Sequence, residues 1–491
     1  MKTTLRAPFA FFAVVGLVAC EASSAPSSGG APASTGMLPA PAPSVTGTAP
    51  TMMTMPGSTT APPDGKAWGP AVEISSSTFS NLRGSPQVAI DASGNAVAVW
   101  LEELADNTRN AIWSSRYAAG GAWSTPSTID NPVGSPTAPQ LAMTPNGTAV
   151  VVFGQSESNQ GGAELLVTNR FTGAWGTPTT ISTPGLSPRD PFLALAPDGA
   201  ATLVLEAADA MFPRAWVARA TAAGSWDAPA VLANHAEPGW APAITVAANG
   251  DAVMTWTETG GGPSQTSLWA SRNRGGVWET PALLSSDTGQ VEASILVGAD
   301  AGGNALALWS QRLGGIGGPY TLRSARLSAS TGTWSAPVTV NDGQHEATTA
   351  RLAVDAAGDA VAVWYEANHG VVASRFLAAT ATWDSPATVQ AQTTGLVAVV
   401  EPSVGVDAKG NAVASWVQPI GSPPRPRLFA AQLASSSGTW TAPIDLLADT
   451  NATPYASETQ LSVNTKGEAI LVWHQQTDMP PATGIWARAL R

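Results

Sequence analysis

The stretch "WGPAVEI" (residues 68–74) decides the fold of this chain. It is a shortened Trp-x-x-Pro segment, and the full form recurs at Trp123, Trp175, Trp226, Trp278, Trp334, Trp383 and Trp440. Successive segments lie 49–57 residues apart, and no helical pattern separates them. A period near 50 residues without helices is typical of blades or solenoids.

Each repeat unit predicts four strands. In the first unit a short strand (86–91) turns into an apolar strand (96–102), followed by a third strand (111–117) and a Trp-x-x-Pro strand (123–129). A Gly late in each turn supplies the positive φ of a tight hairpin. The second strand is apolar on both faces, as expected for a sheet between two neighbouring sheets. Pro cannot donate to a ladder, so the Trp-x-x-Pro strand belongs at the outer edge.

The number of strands predicts how the molecule closes. Eight hairpins and eight Trp-Pro strands occur, but the first Trp-Pro strand precedes every hairpin, and none follows "GIWARALR" (484–491). If residues 68–74 pair with the last three strands, a ring closes without a free edge. This one-plus-three closure resembles that of β-propellers. An open solenoid would need caps, and tandem immunoglobulin-like domains need about 100 residues each. We therefore expect an all-β, eight-bladed β-propeller of four-stranded blades over residues 67–491, with blades of about 52 residues.

The N-terminus predicts export and lipidation. Residues 1–19 have the order of a secretory signal, because the basic "MKTTLR" precedes the apolar "APFAFFAVVGLVA". The following Cys20 completes "LVAC" (17–20), which resembles the lipobox of bacterial lipoproteins. That resemblance implies that Cys20 is the mature N-terminus and carries acyl chains such as palmitate. Residue 21 is Glu rather than Asp, which by the sorting rule of enteric lipoproteins favours the outer membrane.

Composition separates a tether from the repeat domain and excludes some partners. Residues 20–66 are mostly Ala, Ser, Pro, Thr and Gly, so we expect a disordered spacer after the lipidated Cys. The chain has a net charge of −12 and is only 12% charged, which argues against nucleic acid as a partner. Its single Cys excludes an intramolecular disulfide framework.

Three residue types recur at fixed places in the units, which favours structural roles. We expect the Trp of each Trp-x-x-Pro segment to pack between blades. A Glu or Gln stands near the end of the second strand in seven units: Glu102, Gln155, Glu258, Gln311, Glu366, Gln418 and Gln475. An Arg stands in the third strand in six units: Arg116, Arg170, Arg219, Arg272, Arg326 and Arg375. We expect each Arg to hydrogen-bond either the Glu/Gln column or backbone carbonyls of the next blade.

Four acidic residues are the candidate ligand-binding site. Where the inner strands begin, matching positions hold Asp190, Glu292, Glu401 and Glu458, and the loops at that rim vary most in length. Binding is usually found in variable loops on a rigid frame. These acids are expected to ring the mouth of the central channel, either as a solvated acidic rim or as a site for a cation or sugar hydroxyls.

Conventional catalytic and metal-binding motifs are not apparent. The four His residues (235, 345, 369 and 474) stand at unrelated places in the repeat, and no His/Cys spacing is typical of a metal site. The Asp-Gly turns also differ in spacing from the Asp box of sialidase-type propellers. No catalytic residue, metal or cofactor is predicted.

These observations favour a lipid-anchored binding or scaffold module of the bacterial cell envelope. It would bind a glycan, a cation or an envelope protein through the variable loops, and we expect a monomer. The main alternative is a carbohydrate-active enzyme, a glycosidase or lyase, that uses two of the acids at the channel mouth. A third possibility is a structural envelope component that uses its flat rims for protein contacts.

Overall fold

The computed structural model describes residues 62–491, except for a set of short segments. These are 76–82, 105, 107, 138, 160, 183–187, 209–212, 233–238, 260–265, 286–289, 313–317, 393–399, 422–423, 448–454 and 479–480. The predicted signal (1–19), Cys20 and nearly all of the predicted tether (20–66) lie outside the described residues. No helix among the described residues is long and apolar enough to cross a membrane.

The chain forms eight antiparallel sheets, and each is one blade. The first short strand, β1 (Val72–Glu73), belongs to the last blade. Blade 1 contains β2 (Arg83–Ile90), β3 (Ala96–Glu103), β4 (Asn110–Tyr117) and β5 (Ser127–Thr128). Blade 2 contains β6 (Gln140–Met143), β7 (Ala149–Ser158), β8 (Gly161–Phe171) and β9 (Thr179–Thr180). Blade 3 contains β10 (Pro188–Leu195), β11 (Ala201–Ala208), β12 (Pro213–Ala220) and β13 (Ala230–Val231). Blade 4 contains β14 (Gly239–Val246), β15 (Ala252–Thr259), β16 (Thr266–Arg274), β17 (Val277–Trp278) and β18 (Ala282–Leu283).

The second half repeats this order. Blade 5 contains β19 (Gln290–Ala299), β20 (Ala305–Arg312), β21 (Tyr320–Ser328), β22 (Thr333–Trp334) and β23 (Val338–Thr339). Blade 6 contains β24 (Ala347–Val354), β25 (Ala360–Glu366), β26 (Gly370–Leu377), β27 (Thr382–Trp383) and β28 (Ala387–Ala391). Blade 7 contains β29 (Val400–Val406), β30 (Ala412–Ile420), β31 (Arg425–Ala434), β32 (Thr439–Trp440) and β33 (Ile444–Asp445). Blade 8 contains β34 (Tyr455–Val463), β35 (Ala469–Asp478) and β36 (Pro481–Leu490), with β1 as its outer strand.

The inner strands form a closed ring, as the sequence predicts. Each inner strand contacts the inner strand of the next blade, and β34 of blade 8 contacts β2 of blade 1. In blades 4 to 7 the outer strand is two short pieces that both pair with the third strand. The Pro of the Trp-x-x-Pro segment lies between the two pieces, for example Pro281 in blade 4, because Pro has no N–H to donate. The eight-bladed propeller fold is thus confirmed.

The predicted closure of the ring is also confirmed. Val72 pairs with Ala487 and Glu73 with Trp486, so β1 adds to the outer edge of β36. The N–H of Ala67 donates to the carbonyl of Arg491 at 2.9 Å, and the N–H of Arg491 returns a bond of 3.1 Å. The start of the repeat domain therefore completes the blade that its end leaves open.

The core lies between blades. Second strands are almost fully buried, and their Trp side chains at 100, 309, 364, 416 and 473 are 0% exposed. The Trp of each Trp-x-x-Pro segment packs at the interface with the preceding blade; Trp123 packs with residues of blades 8 and 1, and Trp175 with residues of blades 1 and 2. Trp175 also donates its indole N–H to Ser114 of the preceding blade at 3.0 Å. The predicted interblade role of this Trp is confirmed.

The Arg column links neighbouring blades through backbone carbonyls. Arg170 donates to the carbonyls of Gly199 and Ala222 in the next blade, at 3.1 and 2.7 Å. Arg375 likewise donates to Ser435 O at 2.8 Å. Of the two predicted partners, the carbonyls of the next blade are therefore confirmed.

The Glu/Gln column has a different partner, the Trp two residues before it. The indole N–H of Trp100 donates to Glu102 at 2.7 Å, and the Trp256–Glu258 pair repeats this distance. Residues i and i+2 of a strand point to the same face, which brings the two side chains together. In these blades the buried carboxylate accepts the indole N–H of the Trp on its own strand.

Candidate functional site

The two faces of the ring differ in how their connections are built. One face, called the turn face here, carries the tight turns between first and second strands. In blade 1 the carboxylate of Asp91 closes this turn by accepting the N–H groups of Ser93 and Asn95, each at 2.8 Å. The opposite face, called the loop face, carries the connections between second and third strands and those that lead into the inner strands. Chemistry-bearing side chains gather on the loop face of blades 5 and 6.

The candidate mouth positions coincide with a ring of β-bulges. The register of the inner strand shifts around Asp190, Glu292, Glu401 and Glu458, and at the matching positions of blades 1, 4 and 6. Four of these positions have positive φ although none is Gly: Ser85 (50°), Ala241 (51°), Thr349 (50°) and Glu458 (54°). Bulges re-aim side chains and concentrate at barrel rims and near active sites. Sequence alone aligned these residues but did not show the bulge.

The structure describes the side chains of two of the four predicted acids, Glu292 and Glu458. Asp190 and Glu401 lie in β10 and β29, and their side chains lie outside the described part of the chain. Glu458 is half-buried and accepts a hydrogen bond from the backbone N–H of Ser85, so it links blade 8 to blade 1. Its carboxylate is thus already engaged by the protein.

Glu292 belongs to a charged cluster across blades 5 and 6. Burial raises the pKa of the Glu292 carboxyl; repulsion from Glu346 adds to the rise, and Arg312 opposes it. The guanidinium carbon of Arg312 lies 4.3 Å from the centre of the Tyr320 ring. Burial also raises the pKa of Tyr320, and Glu292 contributes to that rise. We call these four residues the blade 5–6 cluster. It combines two carboxylates, a cation and an aromatic ring on the loop face.

A second group on the same face was missed by the sequence analysis. His345, Glu366 and His369 each offer a ligand atom, and these atoms lie within 4.8 Å of one another. His345 lies in the loop leading into β24, Glu366 ends β25, and His369 lies between β25 and β26. The two imidazole rings have centres 3.9 Å apart. The signal available in the sequence was Glu366, because its column places it at the loop face, next to the hairpin that holds His369.

Local hydrogen bonds hold this second group in place. Asp342 Oδ1 accepts the N–H groups of Gln344 and His345 at 2.8 and 3.1 Å, and Oδ2 lies 2.6 Å from His345 Nδ1. Burial works to raise the pKa of Asp342, but these hydrogen bonds outweigh it and the pKa is lowered. The N–H of His369 donates to the carbonyl of Glu366 at 3.0 Å, which closes the hairpin turn.

Glu366 is the most buried member of the group, at 4% exposure. Burial raises its pKa, and the Asp342 carboxylate adds to the rise, while Trp364, His369 and His345 oppose it. Together with Asp342, the group therefore brings two carboxylates and two imidazoles close to one another on the loop face.

Clefts between blades 1 and 2 lie away from both groups. A cleft of about 340 Å³ between blades 1 and 2 is lined by Asp91, Arg116, Asn146 and Phe171 on the turn face. Asp91 is already saturated by its own turn, and Arg116 lies 5.7 Å from the Phe171 ring centre. These contacts favour a structural seam between blades over a ligand site.

The chain resembles several solved structures at low identity. No protein-family model matches it, and no curated protein matches its sequence. A protein of unknown function from Dyadobacter fermentans is 13% identical with a TM-score of 0.43, covering 87% of this chain and 99% of its own. The BP39L lectin from Burkholderia pseudomallei is 15% identical with a TM-score of 0.48, covering 74% and 98%. The polysaccharide lyase Uly1 is 9% identical with a TM-score of 0.46, covering 76% and 92%. Similarities this low do not transfer a function to this chain.

Proposed function

We propose that this protein is a lipid-anchored propeller of the bacterial cell envelope that binds a glycan through its loop face. The observation that carries the proposal is the blade 5–6 cluster of Glu292, Arg312, Tyr320 and Glu346. Carboxylates accept hydrogen bonds from sugar hydroxyls, and a guanidinium donates to ring and hydroxyl oxygens. An aromatic ring supplies an apolar surface beside them. A few polar groups held close together by a rigid frame are typical of sites that orient a ligand.

Arg312 has a hydrogen-bond donor that a ligand could use. Its Nε is buried and makes no hydrogen bond to any described residue. A buried donor left without a partner costs free energy, about 1–3 kcal/mol. A ligand oxygen bound beside Tyr320 would accept a hydrogen bond from this Nε–H. Binding would then remove the free-energy penalty of the buried donor.

The direction of the chain supports a binding face turned away from the membrane. The described chain begins on the turn face, where Asp64 lies 2.9 Å from Lys409 in the turn of blade 7. Residues 67–75 then run along blade 8 toward the loop face. A lipid on Cys20 would thus attach from the turn face and leave the loop face directed outward.

The test uses the full chain in detergent on a printed array of bacterial polysaccharides and oligosaccharides. We expect binding that Arg312→Gln reduces at least tenfold. Arg323→Gln is the matched control, because Arg323 lies in the same blade but donates to Thr339 in the outer strand, at 3.0 Å. Absence of any array signal above background, or equal loss in both variants, would contradict the proposed site.

A carbohydrate-active enzyme is the second candidate, favoured by one observation. Glu292 has a raised pKa beside a second carboxylate, Glu346, and such pairs supply the acid and the base or nucleophile of glycosidases. If this is the function, a polysaccharide retained by the array is cleaved. Glu292→Gln would then abolish the release of reducing ends while binding persists. An uncleaved ligand leaves the binding function alone.

A further inference from the structure

We propose that His345, His369 and Glu366 form a binding site for one divalent transition metal ion of the zinc class, with one coordination position open to the loop face. Two imidazoles and one carboxylate form a ligand set that zinc accepts in sites that keep a fourth position for water or an external ligand. The proposal rests on this group alone and does not depend on glycan binding.

The geometry is close to that of a metal site. Ligand atoms around a tetrahedral zinc ion lie about 3.4 Å apart, given metal–ligand distances near 2.1 Å. The three ligand atoms here already lie within 4.8 Å of one another. Side-chain rotations that move the ligand atoms by about 1 Å would bring all three within bonding distance of one ion. His345 and His369 lie in loops, which can make this adjustment without moving a strand.

The tautomer of His345 is set by its neighbour. Asp342 Oδ2 lies 2.6 Å from His345 Nδ1. Because a carboxylate can only accept, we assign the proton to Nδ1, which leaves the lone pair on Nε2. Metal-binding His residues commonly donate their second ring nitrogen to a carboxylate in this way, which fixes ring orientation and strengthens the ligand. Asp342 is in turn held by the N–H groups of Gln344 and His345, so the orienting group is itself anchored.

Glu366 provides the observation that separates a metal site from simple loop packing. In blades 1, 4, 5 and 8 the matching Glu or Gln accepts the indole N–H of the Trp two residues before it. In blade 6 the two side chains are close enough for Trp364 to oppose the rise of the Glu366 pKa, but no well-formed bond joins them. Trp364 Nε1 and Glu366 Oε1 are both buried and make no hydrogen bond of normal geometry within the described residues. The pair in blade 7 also lacks the bond, but Gln418 is neutral and offers no anionic ligand. Among the residues that the structure describes, a buried carboxylate oxygen stands beside two imidazoles in blade 6 alone.

The local charge fits a dication. The carboxyl groups of Asp342 and Glu366 stand beside the two imidazoles, so anionic oxygen is available to balance the charge of a dication. A buried carboxylate oxygen without a hydrogen bond, such as Glu366 Oε1, is costly, and a bound metal ion removes that cost. Hard cations such as Mg²⁺ and Ca²⁺ prefer oxygen ligands, so they should bind here far more weakly than Zn²⁺.

The experiment is titration calorimetry of Zn²⁺ into the untagged full chain after removal of metal by a chelator, with Mg²⁺ as the hard-cation comparison. We expect one Zn²⁺ per chain, and Co²⁺ in its place should give the visible absorption of a site with nitrogen ligands. His369→Ala, at the exposed hairpin, should weaken binding by at least a hundredfold. Asp342→Asn should weaken it about tenfold to a hundredfold, as expected for an orienting partner.

Glu366→Gln should also abolish the site, and Glu102→Gln is its matched control. Glu102 occupies the same place in blade 1 and is bonded to Trp100, so its replacement should leave Zn²⁺ stoichiometry and affinity unchanged. If Glu366→Gln fails to fold, His369→Ala decides the question, since its side chain is exposed. Wild-type protein that binds no Zn²⁺, or a His369→Ala variant that binds it as tightly, would overturn the proposal.

Discussion

Deleting residues 67–75 should open the ring at blade 8, although the damage appears at the far end of the chain. This segment supplies β1 and its flanks, and it is the outer edge of the last blade. Without it, β36 becomes an exposed edge strand, and Trp68 and Ile74 leave the interfaces on either side of blade 8.

The magnitude follows from the contacts that are lost. Four backbone hydrogen bonds flank the β1–β36 ladder and link Ala67, Gly69 and Ile74 to the third strand, at 2.8–3.1 Å. At about 1 kcal/mol each they contribute about 4 kcal/mol. Ile74 is 3% exposed, and burying such a side chain contributes about 1.5–3 kcal/mol. Removing a Trp costs about 3–5 kcal/mol when it is fully buried, and less for the half-buried Trp68. The loss is comparable to the roughly 5–15 kcal/mol that stabilises a domain.

The assay is amide hydrogen exchange at two named positions. The N–H of Arg491 donates to Ala67 O at 3.1 Å, and the N–H of Ile485 donates to Ser75 Oγ at 3.2 Å. Both amides should lose protection in the deletion variant. Deleting residues 21–60 is the control, and it should leave both amides protected, since the propeller closes from residue 67 onward. Unchanged protection at 485 and 491 after loss of 67–75 would refute the closure and the stability argument together.

Two further predictions concern the anchor and the blade 5–6 cluster. Cys20→Ser should release the protein from the membrane fraction and lower its intact mass by the missing acyl chains; a variant that stays as membrane-bound and as heavy as wild type would show that Cys20 is not lipidated. Glu292→Gln should raise the melting temperature at pH 7 but hardly at pH 4. The folded-state pKa of Glu292 is raised by burial and by Glu346, so its contribution to stability is present below the unfolded pKa of about 4.3 and is lost as pH rises through the folded value. An equal effect at both pH values would mean that ionisation of Glu292 is not involved.

The fold was predictable because every unit obeys the same local rules. Gly94 and its equivalents have positive φ at the turn, 88° in the first unit, and the Pro of each outer segment interrupts pairing where it was expected to. Because the same signals occur in eight units, an unclear strand in one unit can be assigned from the others. The number of strands then predicts that the N-terminal strand closes the ring. None of this required knowledge of long-range contacts.

The Trp partner of the Glu/Gln column could have been predicted from strand geometry. Glu102 lies two residues after Trp100, on the same face of β3, and period-2 geometry alone places the two side chains side by side. The sequence-based prediction named only Arg as a partner of this column, as one of two alternatives for the Arg side chains. Arg170 and Arg375 reach the next blade because the third strand ends at the turn face, at the opposite end of the blade from this column.

The candidate sites were less predictable because they arise where the repeat is broken. His345 and His369 occupy connections whose lengths differ from blade to blade, so no alignment of the units brings them together, and 24 positions separate them in sequence. Only the folded hairpin places both beside Glu366. Residues that recur in most blades, such as Trp100 and Glu102, have structural roles. A functional site that is present in one blade is not repeated, so comparing the units cannot identify it. A column member that lacks the usual well-formed bond to its Trp is the better indicator of function, and in blade 6 the unbonded Oε1 of Glu366 meets that criterion.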